Sequence, residues 1–191
     1  QCTLKTFIST YSIFKFSITH IFMKKIGILS DTHGYVHPNL FTFFKDCHEI
    51  WHVGDIGSEE VLSELSLIAP VKAVFGNCDD WAIRKETSEQ LVFDCEEHKV
   101  AMIHIGGRPK AYSPEAQLLI AKEKPTIFVS GHSHILRVLN DPQHQLLFIN
   151  PGAAGRYGIH TRLTFLRFLI DRKKIENLEV YDEPKQKIVR I

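Results

Sequence analysis

The chain has 191 residues, 44% of them hydrophobic, which suffices for one sizeable core and argues against several independent domains. Its formal net charge is +1 with acids and bases interspersed, which excludes nucleic-acid binding by bulk electrostatics, since that needs a concentrated basic face. No run approaches the ~20 apolar residues of a membrane span, and Cys2, Cys47, Cys78 and Cys95 lack CxxC spacing, so reduced thiols and a cytoplasmic location are expected.

Residues 1–22 contain no Asp or Glu and are rich in Ser, Thr and Phe, and MKKIGIL follows them like a natural beginning. They lack the continuous apolar centre and small-residue cleavage site of a signal peptide. They are read as a leader outside the core, with Met23 as the functional start and residues 23–191 as the domain. An additional edge strand is the competing reading.

From Met23 onward strand and helix signals alternate. KKIGIL (24–29) is a β-run, and Leu40, Phe43, Phe44 and Cys47 recur at helical spacing between Pro38 and Cys47. EIWHV (49–53) is a second strand, with His52 expected to face the interior. Ser58 then stands as an N-cap before Glu59 and Glu60, with Val61, Leu62, Leu65 and Ile68 on one helix face. VKAVF (71–75) is a third strand, and LVFDC (91–95) with KVAMIHI (99–105) brackets EEH as a hairpin. Ser113, Pro114 and Glu115 open a helix that ends before Pro125, and TIFVS (126–130) is a buried strand. After Arg137 three runs, VLNDPQHQLLFI, RLTFLRFLI and IENLEVYD, read as consecutive antiparallel strands. A sheet fed by βαβ units and then a meander, arranged as two sheets with helices outside, is the architecture expected.

Eleven histidines are the compositional oddity, and the stretch FVSGHSHIL sets two of them, His132 and His134, on either side of Ser133. Side chains at i and i+2 of an extended segment point the same way. Other polar residues also follow strands: Asp31 and His33 in LSDTHG, Asp55 in HVGDIG, Asn77 in FGNCDD and His104 in MIHIGG. In open α/β sheets ligands bind outside the carboxyl ends of the strands, where loops converge. Singly, the aspartates could be helix caps, Asn77 a turn residue and His104 a core histidine. Jointly, four His, two Asp and one Asn at successive strand ends point to a metal crevice. Imidazole, carboxylate and amide oxygen without thiolate suit borderline or hard dications, so manganese is expected, with iron, nickel or zinc as alternatives. Seven donors are too many for one ion and suit two that share a bridge, for which Asp55 is the natural carboxylate. Two such ions lower the pKa of a bridging water and clamp the attacking and leaving oxygens of an in-line displacement at phosphorus.

The blocks DTH, GD, GNCD, H and GHSH, in this order and spacing, resemble the calcineurin-like metallophosphoesterases. The short chain, SDTHG and the NPG at 150–152 resemble in particular the small YfcE-type phosphodiesterases, related to the retromer subunit Vps29. The resemblance covers Met23 to Ile191. It implies a four-layer αββα sandwich of two mixed sheets and a small phosphoester substrate. It also implies one ion on Asp31, His33, Asp55 and His134, and a second on Asp55, Asn77, His104 and His132.

One departure concerns the leaving group. Many members carry a histidine after Gly-Asn, thought to assist departure, whereas this chain has Cys78 followed by Asp79 and Asp80, as the YfcE-like group also lacks that histidine. A neutral thiol is a poor general acid, so a phosphodiesterase, or a phosphatase for good leaving groups, is expected, with Cys78 and Asp79 as catalytic candidates and small-residue packing as the alternative for Cys78. Arg156, in a Gly-rich turn after Asn150, is a candidate for a substrate phosphate. His37, His98, His144 and His160 are read as surface or locally hydrogen-bonding residues. A Vps29-like binding scaffold with a vestigial metal site is the second function class, and assembly into a homo-oligomer is left open.

Overall fold

The computed structural model describes residues 23–185. The leader reading for residues 1–22 lies outside them. The first strand, β1 (Met23–Leu29), has Ile26 and Ile28 on one face and Leu29 on the other, all fully buried. Such two-sided burial is the mark of a central strand covered on both faces. It pairs in parallel with β2 (Glu49–Val53), which pairs in parallel with β3 (Val71–Val74). Two short helices lie beside this sheet, α1 (Asn39–Phe43) and α2 (Glu59–Ser66). Leu29, Leu40, Phe44, Ile50, Val61 and Leu65 form the core under them. The first helix is shorter than the helical spacing over 38–47 suggests, because the chain leaves the helix at Phe44 and tightens into a turn in which the Cys47 N–H donates to the Phe44 carbonyl.

A short helix, α3 (Trp81–Glu86), precedes the second sheet, and the Asp80 carboxylate caps it by accepting from the Ile83 N–H at 3.2 Å. Then come β4 (Gln90–Cys95) and β5 (His98–Ile103), an antiparallel hairpin closed by only Glu96 and Glu97, because Cys95 and His98 already pair. A two-residue ribbon, β6 (Gly107–Arg108) with β7 (Ala111–Tyr112), leads into α4 (Pro114–Glu123). That helix begins where the sequence places it: Ser113 accepts from the Ala116 N–H, Pro114 fills the first turn, and Lys124 ends it in left-handed geometry before Pro125. Strand β8 (Ile127–Ser130) pairs in parallel with β5 on one side and with β10 (Leu146–Pro151) on the other, and β9 (Leu136–Asp141) completes the edge.

The tail departs from the expected meander. Strand β9 turns back antiparallel to β10, but β10 then crosses to the other sheet, where β11 (Arg162–Asp171) pairs with β1 and with β12 (Lys174–Pro184). The two five-stranded sheets therefore run β12-β11-β1-β2-β3 and β4-β5-β8-β10-β9. Their facing sides share one core of Ile28, Trp51, Val53, Val100, Met102, Val129, Leu166 and Phe168. Ala101, Ile103, Phe128 and Phe148 face outward against α4. The result is four layers, helix, sheet, sheet and helix, the arrangement that the family resemblance implies. Among the described residues no helix is long and apolar enough to cross a membrane.

The crossover from β10 to β11 matters for function. It runs over the carboxyl end of β1, where the Ala154 N–H donates to the Ser30 carbonyl and the Gly155 N–H to the Asp31 carbonyl.

Candidate metal centre

Parallel strands of both sheets end at one crevice, and the candidate donors leave from those ends. Asp31 and His33 follow β1, Asp55 follows β2, Asn77 follows β3, His104 follows β5, and His132 and His134 follow β8. The backbone there is unusual. Asp31, His33, Asp55, His132 and His134 all hold positive φ, between 47° and 65°. Asp, Asn and His tolerate this region better than most residues, yet each instance costs roughly 1–3 kcal/mol and persists only where the surroundings impose it. Backbone bonds impose it here: the Asp31 N–H donates to the Gly54 carbonyl, the His33 N–H to the Asp55 carbonyl and the Gly131 N–H to the His104 carbonyl.

Asp31, Asp55 and His104 form the buried floor, His33 and His134 are half-buried, and Asn77, Cys78 and His132 stand at the exposed mouth. Three sets of donor atoms cluster within 4.8 Å of one another: Asp31 with His33 and His134, Asp55 with His104 and His132, and His33 with Asp55 and Cys78. Asp55 is the pivot. Its Oδ1 accepts from the Cys78 N–H at 2.9 Å, while its Oδ2 lies 3.8 Å from His33 Nε2 and 3.4 Å from His104 Nε2. Gly76 makes room for it, since a Cβ there would stand 2.1 Å from Asp55 Oδ1.

The donor atoms are held open. Asp31 Oδ1, His33 Nε2 and His104 Nε2 are buried without a hydrogen-bond partner among the described residues, although burying an unsatisfied polar atom costs about 1–3 kcal/mol. His134 Nε2 is 3.0 Å from Asp31 Oδ1, but the two are not aligned as a hydrogen bond, and Asp31 Oδ2 accepts from the His132 N–H at 3.2 Å. The tautomer of His104 is fixed: its Nδ1 sits 2.6 Å from the Val53 carbonyl, which only accepts, so Nε2 presents a lone pair to the crevice when the ring is neutral. Orphaned imidazole and carboxylate atoms converging on one point fit divalent cations.

Electrostatics concentrate at the same place. Burial tends to raise Asp55, but the nearby His104 imidazole and the Cys78 N–H hold its carboxyl well below the usual range. Burial works against a charge on His104, yet Asp55 and Asp31 outweigh it and raise the imidazole above its ordinary value. For His33 burial wins over both carboxylates and the pKa is lowered.

Several residues take up tasks their sequence position conceals. Asp79 is buried and both its oxygens accept backbone amides, Oδ1 from Gly57 and Oδ2 from Gly76, each at 2.8 Å. It ties the loops after β2 and β3 together. Arg84 on α3 donates to the Asp79 and Gly76 carbonyls, bracing the same loop from behind. Arg156 lies with its guanidinium 4.3 Å above the Tyr35 ring and donates to the Tyr35 hydroxyl. His37, which the sequence suggests is a surface or locally hydrogen-bonding residue, is buried and bonds at 2.7 Å to Glu183 on the distant strand β12. His98 is buried against Thr126, and His144 bonds Asp141. His160 is also not a bystander, since its Nδ1 lies 2.9 Å from Nδ1 of His134.

His52 is fully buried, as expected, and its Nε2 meets the Thr32 hydroxyl at 2.8 Å. Burial pushes its pKa down to about 4 from an ordinary 6.5. The folded pKa is depressed, so the unfolded chain binds the extra proton first and stability falls as pH drops below 6.5 toward 4. Between pH 7 and 5 this one group is expected to remove roughly 2 kcal/mol. Urea unfolding of chelated protein at both pH values checks it: a His52→Gln variant should lose correspondingly less stability over that interval than the parent chain.

The chain is similar to known proteins in sequence and in fold. The calcineurin-like phosphoesterase superfamily domain matches residues 23–173. A probable metallophosphoesterase from Methanothermobacter thermautotrophicus is 32% identical over 136 residues, 67% of this chain and 76% of the relative. One from Methanocaldococcus jannaschii is 30% identical over 135 residues, 67% of each chain. Among solved structures, a predicted phosphoesterase from Streptococcus pneumoniae has a TM-score of 0.63 at 20% identity, over 85% of this chain and 90% of that one. Vps29 from Entamoeba histolytica, solved as a zinc complex, scores 0.64 at 17% identity over 85% and 99%. The last two share the fold; the sequence matches go further, and by them the chain belongs to the calcineurin-like phosphoesterase superfamily, as a metallophosphoesterase relative.

Proposed function

We propose that the chain is a dinuclear metal-dependent phosphodiesterase that acts on small phosphoesters in the cytoplasm, with manganese as the ion, or iron, nickel or zinc in its place. The position of Asp55 carries this reading, since one carboxylate oxygen faces two imidazoles from different donor sets. Asp31, His33, Asp55 and His134 would hold one ion, and Asp55, Asn77, His104 and His132 the other. Bound there, two dications supply neutralisation of phosphoryl charge and bring the pKa of water toward neutrality.

The chain's own groups do the rest. Asp79 is a positioning residue, keeping the Gly76 loop against Asp55. The Asn77 amide rests on the Cys78 sulfur at the mouth and is placed to contact a phosphoryl oxygen. Arg156 offers a guanidinium for a substrate phosphate once it leaves Tyr35. Beside Asn77 and His104 opens a cavity of about 340 Å³ lined by Phe75, Ile103 and Ile105 together with the charged Arg84, Glu89 and Glu115, which would give a second ester arm a place that a monoester leaves empty. Desolvation, with Asp55 beside it, raises the Cys78 thiol above its ordinary pKa, so it offers weak proton donation to a departing alkoxide. That favours esters whose leaving group departs unaided. A Vps29-like scaffold would supply no reason for orphaned donors on strained backbone.

Metal analysis joined to a screen of bis(p-nitrophenyl) phosphate against p-nitrophenyl and alkyl monoesters tests the reading. Two equivalents of manganese and fastest turnover of the diester are expected. Two equivalents with no turnover of any ester would favour the scaffold.

A further inference from the structure

His160 closes a loop that wraps the first donor set, and what it touches is specific. Its Nε2 lies 3.0 Å from the Gly155 carbonyl and its Nδ1 lies 2.9 Å from Nδ1 of His134. A carbonyl oxygen only accepts, so Nε2 of His160 carries the hydrogen. In the neutral ring Nδ1 is then a bare acceptor, and the partner it accepts from is the Nδ1–H of His134. That leaves the lone pair of His134 on Nε2, the atom 3.0 Å from the orphaned Asp31 Oδ1.

We infer that the Gly155 carbonyl, His160 and His134 form a two-imidazole relay in which His160 is a positioning residue, fixing the tautomer and ring orientation that offer His134 Nε2 to the first ion. This rests on the two-ion reading above. The loop is built for the contact. The Gly155 N–H is anchored on the Asp31 carbonyl, so the relay and the first donor share one backbone support. Gly158 holds φ +105°, and a Cβ there would stand 2.7 Å from Cε1 and Nδ1 of His134, so only glycine lets the loop lie against that ring. The two imidazoles meet edge to face, 4.8 Å between centroids at 75°. His104 solves the same problem with the Val53 carbonyl as its direct acceptor. At His134 the acceptor is a side chain, so the support can be removed by substitution without disturbing a strand.

Outer partners of ligating histidines typically change metal affinity by 10- to 100-fold when removed. Titration of the chelated protein with MnCl₂, followed calorimetrically, should show two binding steps in the parent chain. His160→Leu should weaken one step by about 10- to 100-fold and leave the other unchanged. His160→Asn, whose amide oxygen can stand where Nδ1 stood, should recover most of the loss. The ¹⁵N imidazole spectrum of the zinc-loaded parent chain should place the hydrogen of His134 on Nδ1 and that of His160 on Nε2, and this reading stands even if the leucine variant does not fold. Two unchanged manganese affinities in both variants, or a zinc-loaded His134 protonated on Nε2, would overturn the relay while leaving the two-ion function intact. A parent chain that takes up no manganese or zinc at the crevice would overturn the function itself and the relay with it.

Discussion

Asp55→Asn is expected to drop manganese content from two equivalents to less than one and kcat/KM for a diester by on the order of 10³-fold or more. The size follows from losing several kcal/mol of charge stabilisation at the reacting phosphoryl group, 1.4 kcal/mol being tenfold in rate. Asparagine is the informative replacement because its amide oxygen still accepts the Cys78 N–H now held by Asp55 Oδ1. The Gly76 loop then keeps its support from Asp79, and the loss reports on the carboxylate rather than on the fold. His33→Ala provides the contrast, since His33 stands with Asp31 and His134 while His104 and His132 form the other set. It should weaken one ion and spare the second. Elemental analysis after gel filtration reads both, and an Asp55→Asn protein that still carries two tight ions would show that the carboxylate does not bridge.

The second large effect is a gain. Cys78→His should raise turnover of alkyl phosphomonoesters by about 10²-fold, the lower end of what a positioned general acid contributes, and change activated aryl diesters far less. Protonation matters most when the departing oxygen is a strong base, which an alkoxide is and a nitrophenolate is not. Position 78 is exposed at the mouth, so an imidazole fits without repacking. The gain stays at the lower end because nearby Asp79 is already committed to the Gly57 and Gly76 amides and is not free to orient the new ring. Comparing kcat/KM for methyl and nitrophenyl esters at equal metal content decides it. Equal changes for both would make position 78 a packing position and leave specificity to the shape of the cavity beside Asn77.

Much of the centre could be read from sequence because strand-end position and residue type are both local signals. Asp31, His33, Asp55, His104, His132 and His134 each sit one to four residues past a strand with the alternating apolar pattern, and parallel strands bring such positions to one edge. The outer supports could not be read in this way. Asp79 looks like a catalytic acid beside Cys78, and only the folded loops show its oxygens claimed by amides from two different connections. His160 lies 26 residues from its partner. The Gly-rich run before it was the available hint. Helix α3 gives almost no sequence signal, because six residues leave too little periodicity to detect. The sequence reads as a meander there because β10 and β11 have the apolar content of neighbours, whereas the ten residues between them, 152–161, carry the chain from one sheet to the other.

Anomalous scattering from crystals grown with manganese tests the two-ion centre most directly. Two peaks are expected, one coordinated by Asp31, His33 and His134, the other by Asn77, His104 and His132, with Asp55 touching both. A single peak, or two peaks with Asp55 bound to only one, would contradict it.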